Sequence, residues 1–269
     1  MQFFRSSLSA IVVVALVAGA CKPSFIPKKF KGTNEALYVA AKKEYHARRF
    51  ENAIAAFERL TLELPARDTL LARSHFWLGK SHARHGEQLL AAQEFARVTE
   101  GFPDDPLGDD ALVESGRAYQ RLWRKPELDA QYGLNALSAY RLLLAIYPNS
   151  PLRDEASRQV SRLEQAFATK DYENGLHYMR RKAYDSAIIY LKDVVRNYPT
   201  SSRARDASLR LVEAYRAIRY KDDAAETCAA LRVAYAQDAD VRRLCGAEPT
   251  PPVAQPATVP PASVPAATP

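Results

Sequence analysis

Residues 91–103 read AAQEFARVTEGFP. An alanine opens the stretch, a phenylalanine follows four residues later, and a proline closes it 12 residues after the alanine. Positions i and i+4 of a helix share a face, so Ala91 and Phe95 point the same way. The small alanine lets a neighbouring helix approach, the aromatic fills the gap beside it, and Pro103 stops the helix and sets the next turn. The same frame recurs. Residues 53–65 (AIAAFERLTLELP), 136–148 (ALSAYRLLLAIYP) and 187–199 (AIIYLKDVVRNYP) repeat the Ala-to-Pro interval of 12. A fifth unit has Ala224 and Cys228 at the Ala and Phe places and no closing proline.

This is the tetratricopeptide pattern, one helix pair (A and B) per unit. Upstream of each frame, Gly79, Gly116 and Gly175 stand where helix A needs a small residue, with Tyr119, Tyr178 and Tyr215 at the aromatic place that follows. The expected fold is an all-α, tetratricopeptide-like α-solenoid of about five helix pairs over residues 34–245. The units fall near 34–67, 68–106, 107–151, 152–202 and 203–240. The frames are spaced 38, 45, 51 and 37 residues apart, against 34 for a strict repeat. The extra residues lie in a loop over 123–133, which holds Pro126, and in 151–169. From Asp154 that second stretch has helical periodicity and no breaker, so one long helix is expected to about Arg180, serving as helix A of the fourth unit.

The chain begins MQFFRSSLSAIVVVALVAGAC. Arg5 gives a positive start and residues 10–18 are apolar, too short a run to span a membrane. Ala18-Gly19-Ala20 are small, as a signal cleavage site requires, so residues 1–20 read as a signal peptide. Cys21 then becomes the first mature residue, and its thiol and amine are expected to carry lipid. Ordinary secretion, leaving Cys21 as a bare thiol, stays open, because Ala18 stands where a lipobox usually has leucine. Lys22 rather than aspartate follows the cysteine, which by analogy favours the outer membrane. Residues 21–33 read as the lipidated cysteine and a spacer. Residues 246–269 hold eight of the chain's 17 prolines and one charge, the composition of a disordered tail with polyproline II character.

A net charge of +7 does not demand nucleic acid, which an exported protein would rarely meet. Two further cysteines, Cys228 and Cys245, are placed either to bridge or to remain a buried apolar residue and an exposed thiol. No nucleophile–base pair, phosphate loop or zinc-protease motif occurs, so no catalysis and no cofactor beyond the covalent lipid is expected. His75, His82 and His85 cluster, yet His75 and His82 fall at packing positions of helix A, which argues against metal. The paired acids Asp104-Asp105 and Asp109-Asp110 suit helix N-termini.

Binding is the better expectation. Helix A of each unit lines one side of such an array. The inward positions are Tyr38, Lys42 and Tyr45 in the first unit, Phe76, Lys80 and Arg84 in the second, and Arg117 and Arg121 in the third. Lys42, Lys80 and Arg117 hold equivalent places, a row of cations beside aromatics. That row suits an extended peptide ending in an aromatic and a free carboxylate; a solvated basic face is the plainer reading.

Residues 147–150 (YPNS) followed by the long helix, residues 178–188 (YMRRKAYDSAI), residues 198–201 (YPTS) and residues 207–215 (ASLRLVEAY) resemble the BamD family, also called ComL or YfiO. The insertion with Asp129 and Tyr132 is placed as in that family. The resemblance spans about 34–237. It implies a lipoprotein at the periplasmic face of the outer membrane, within the β-barrel assembly (Bam) machinery. The N-terminal units would take up unfolded outer membrane proteins, and the C-terminal units would dock a BamA-like barrel subunit beside other Bam lipoproteins. Arg180 and Arg181 are the candidates for that second surface. The alternative is another tetratricopeptide lipoprotein that scaffolds cell-wall, motility or polysaccharide-export machinery. The Pro-rich tail departs from the family pattern.

Overall fold

The structure, a computed structural model, describes residues 27–124 and 130–246. The signal peptide, Cys21, Pro126, Asp129 and the Pro-rich tail after Gly246 lie outside them. The described residues form eleven α-helices and one short 3-10 turn, and contain no strand. The fold is all-α and tetratricopeptide-like. The helices are α1 (Asn34–His46), α2 (Phe50–Glu63), α3 (Thr69–His85), α4 (Gln88–Gly101), α5 (Gly108–Leu122), α6 (Gln131–Ile146), α7 (Arg153–Arg180), α8 (Tyr184–Asn197), α9 (Ala204–Ala217), α10 (Lys221–Ala234) and α11 (Ala239–Cys245). The long helix expected from Asp154 to about Arg180 is α7. The loop expected over 123–133 ends earlier, because residues 131–133 already belong to α6. There Tyr132 stacks on Tyr119 with centroids 6.4 Å apart, which supports a helical start.

The chain divides into two compact units, one ending at Ala166 and the other starting at Phe167. In the first, the Ala/Phe frame is the core. Ala53, Ala56, Phe57, Ala91, Ala92, Phe95, Ala136 and Tyr140 are all fully buried. Each helix-A glycine is filled by the large residue of its own helix B. A Cβ on Gly79 would lie 2.9 Å from Phe95, and one on Gly116 would lie 2.5 Å from the Tyr140 ring. The described part of the expected spacer is held as well. Arg59 on α2 donates to the carbonyls of Pro27 (2.8 Å) and Phe30 (3.1 Å), so residues 27–30 lie against the first helix pair while Lys28 and Lys29 stay exposed.

The second unit follows the same plan with different side chains. Its first helix pair has Gly175 opposite Leu191, so the expected aromatic is a leucine here. Its second pair has Val212 and Cys228 in one buried cluster with Leu231 and Val241. The size assignment is reversed there: helix A carries the larger residue and helix B the smaller. One element was missed in the sequence, the short helix α11 after the fifth pair. Asp238 caps it, accepting from the amides of Asp240 (2.9 Å) and Val241 (3.1 Å).

The turn from helix A to helix B has a shared geometry. Arg48, Gly86, Lys182 and Arg219 all have positive φ, between 58° and 103°. The next amide reaches back five residues, as Arg49 N–H to Glu44 C=O and Ala183 N–H to Tyr178 C=O. This closes the helix with a left-handed residue at the position glycine usually holds. Three of the four sites carry a basic residue instead, and accept the strain of a Cβ there.

Candidate binding face on the A helices of the first unit

Helices α1, α3 and α5 carry Lys42, Lys80 and Arg117, each half-buried. They do not form a row of free cations. The Lys80 ammonium donates to Glu114 (2.8 Å). The Arg117 guanidinium donates to Glu114 (2.9 Å) and to Glu155 on α7 (2.5 Å). Cation and carboxylate therefore alternate from α3 to α7 as Lys80, Glu114, Arg117 and Glu155. These pairs are half-buried but still reach solvent, so an incoming carboxylate has to displace Glu114 or Glu155 to reach the cations.

Lys42 is held differently. Its ammonium lies 4.7 Å from the Trp77 ring centroid and 5.8 Å from that of Tyr38. Trp77 also meets Tyr45 edge-on at 5.1 Å and His46 at 5.7 Å, and Tyr45 meets Phe50 at 5.8 Å. Tyr38, Tyr45 and Trp77 are thus an aromatic patch on the first two helix pairs with one cation over it. Phe76 is buried against Phe95, with centroids 5.7 Å apart, and the Lys80 ammonium lies 5.9 Å from its ring centroid. Arg84 is exposed, its guanidinium 5.9 Å from the Phe50 ring. Arg121 is exposed at the C-terminal end of α5.

Sequence reasoning missed Trp77, Glu114 and Glu155. Glu114 lies one turn before Arg117 on the same helix face, a signal that was present. Glu155 gives no such signal, since only the packing of α7 brings it to Arg117.

The histidines pair with carboxylates. His75 Nδ1 lies 2.7 Å from Glu94, His82 Nδ1 lies 2.7 Å from Glu87, and His85 lies 3.2 Å from Glu87. Among the described residues, no group of three or more His, Cys, Asp or Glu is arranged to hold a metal ion.

In the second unit, Arg180 and Arg181 are exposed where α7 ends and the turn to α8 begins. Tyr178 beside them stacks on Tyr190, centroids 5.5 Å apart. Cys228 and Cys245 form a disulfide with Cα atoms 5.3 Å apart. Near it, Arg205 donates to Asp206, Asp238 and Asp240 at 2.7–2.8 Å.

The Arg205 guanidinium, helped by the Val241 amide, holds the Asp238 carboxyl down to about 2. A carboxylate depressed in the folded state supports folding above its unfolded value and loses that support as pH falls through the folded one. Unfolding midpoints measured from pH 5 to pH 2 are therefore expected to fall more steeply in the native chain than in Asp238→Asn. Equal slopes would show that the charge on Asp238, and so its ion pair with Arg205, adds nothing, since asparagine still caps the helix.

A family described as "YfiO: Outer membrane lipoprotein" matches residues 31–231. The Caulobacter vibrioides protein named outer membrane protein assembly factor BamD is 24% identical over 229 residues, covering 84% of this chain and 74% of that one. The Vibrio cholerae protein of the same name is 31% identical over 87 residues, covering 32% of this chain and 36% of that one. Among solved structures, the nearly identical TPR-like repeats of a Podosopora anserina kinesin light chain sequence cover 80% of this chain and 98% of their own. They align at 15% identity with a TM-score of 0.40.

Proposed function

The chain belongs to the YfiO family of outer membrane lipoproteins, and on that premise we propose that it is an outer membrane protein assembly factor. It acts as a scaffold rather than an enzyme, and the lipid on Cys21 is the only added group the role requires. That lipid holds it at the periplasmic face. No helix among the described residues is long and apolar enough to cross a membrane. The first unit takes up unfolded outer membrane proteins on its A-helix face. The second docks a BamA-like barrel subunit near Arg180 and Arg181, alongside other Bam lipoproteins.

The observation that carries the reading is the family match over 31–231, which spans the helix pairs from α1 to the last turn of α10. A tagged chain purified from envelopes is expected to bring down the barrel-forming subunit, and its depletion to remove many outer membrane barrels at once. Recovery of a septal or polysaccharide-export complex in its place would overturn the assembly role.

The peptide face has its own test. Reversing Lys42, Lys80 and Arg117 together is expected to weaken a barrel C-terminal peptide at low salt by about tenfold or more, where charge effects are largest. Glu114→Gln removes the carboxylate that occupies both Lys80 and Arg117. It is expected to tighten the same peptide by a factor of about three, the scale of a surface pair. Titration of a fluorescent peptide checks both, and an affinity unmoved by either change removes this face from consideration.

A further inference from the structure

The second unit contains an apolar groove of about 680 Å³ between α8, α9 and α10. Ile189, Val195, Leu211, Tyr215, Leu231 and Tyr235 are among its lining residues, and Ile189 is 62% exposed. The groove continues onto the outer face of α10. Ala229, Ala230, Val233 and Ala234 are all exposed there, Val233 to 84%. The closing unit of a repeat array needs a polar outer face to stay soluble, and this one presents alanine and valine.

We propose that this groove and the face beside it are the docking site for the chain's own Pro-rich segment, residues 247–269. The disulfide brings Cys245 to Cys228 on α10, and Arg232 on α10 donates to the Cys245 carbonyl at 2.9 Å. Cys245, at the end of α11, is therefore held against α10. At 100° per residue, Arg232, Ala229, Val233, Ala230 and Ala234 follow one another round the helix, from the disulfide side to the groove. A helix with side chains is about 10–12 Å across, so roughly four extended residues make the passage. The remainder is then tethered beside the groove, at an effective concentration on the order of millimolar.

The chemistry matches. Residues 249–265 read PTPPVAQPATVPPASVP. In a polyproline II helix, with three residues per turn, Val253, Pro256, Val259 and Ala262 share one edge. Such ridges dock in apolar grooves lined by aromatic rings, and here Tyr215 and Tyr235 supply the rings. The segment's single charge, Glu248, precedes that edge, so the segment brings no charge into the groove, whose own charged lining residues are Lys192, Asp193, Arg196, Asp223 and Glu226. This inference does not rest on the assembly role.

The test uses the full chain with a benzophenone amino acid in place of Lys192, a residue of the groove lining. On illumination, cross-links to peptides within 249–265 of the same chain are expected, mapped by mass spectrometry. Mixing isotopically heavy and light chains separates links within a chain from links between chains. Val253→Asp with Val259→Asp is expected to lower the yield by at least about tenfold, a floor for the loss of two buried valines. Cross-links only to a second copy or to another protein, no link to the segment, or a yield indifferent to the aspartates would each overturn the proposal.

Discussion

Replacing Tyr140 with alanine is expected to cost the first unit about 3–5 kcal/mol, the range for losing a buried aromatic. The ring is fully buried and fills the space left by the missing side chain of Gly116. Its hydroxyl donates to Gln120 at 2.8 Å, and Gln120 donates onward to Gln159 on α7 at 3.0 Å. Burial pushes the phenol pKa up, so the group remains a donor across the neutral range. Truncation therefore leaves a cavity between α5 and α6 and also takes away the donor to the Gln120 carbonyl oxygen, two penalties from one change. Filling the other half of the contact is expected to hurt as well. A Cβ at residue 116 would lie 2.5–2.8 Å from ring carbons, so Gly116→Val must displace the ring, at about 1–3 kcal/mol. Urea unfolding of the variants checks both. A Tyr140→Ala chain within about 1 kcal/mol of the native one would mean this contact is not where the third helix pair is held together.

Cys245→Ser is expected to lower the stability of the last helix pair by about 3 kcal/mol, the scale for a bridge closing a loop of this length. The two cysteines are separated by 17 positions. The loss concentrates in α11, whose own hydrophobic anchor is the buried Val241. Hydrogen exchange gives the local readout. Amides of α11 should exchange much faster in the variant, or in the reduced native chain, while those of α2 and α4 stay unchanged. Retained protection in α11 would assign its anchoring to Arg205 and the capping Asp238 instead.

The helix pairs were legible because their constraint is local. Small residue, large residue four later and proline all fall within one helix and its stop, and the glycines mark the partner helix. The same locality explains the long α7, which needs only periodicity and the absence of a breaker. What escaped is what packing alone decides. Glu155 reaches Arg117 across 38 residues, and no spacing rule signals that. The row of cations was read from like positions on successive A helices. Glu114 and Glu155 change its meaning, because an electrostatic surface is set by both signs at once. Helix α11 has no Ala/Phe/Pro frame. Its cap at Asp238 is a local signal that was passed over, while its tie to Arg205 is visible only once α9 and α11 are placed together.

The partners at each glycine or its equivalent differ along the chain: Gly79 with Phe95, Gly116 with Tyr140, Gly175 with Leu191, and Val212 with Cys228. Each hairpin is thus cut to its own key. Both halves of each lock travel together, so a whole hairpin moved along the chain keeps its inner fit, whereas a single helix exchanged between hairpins would meet a partner of the wrong bulk.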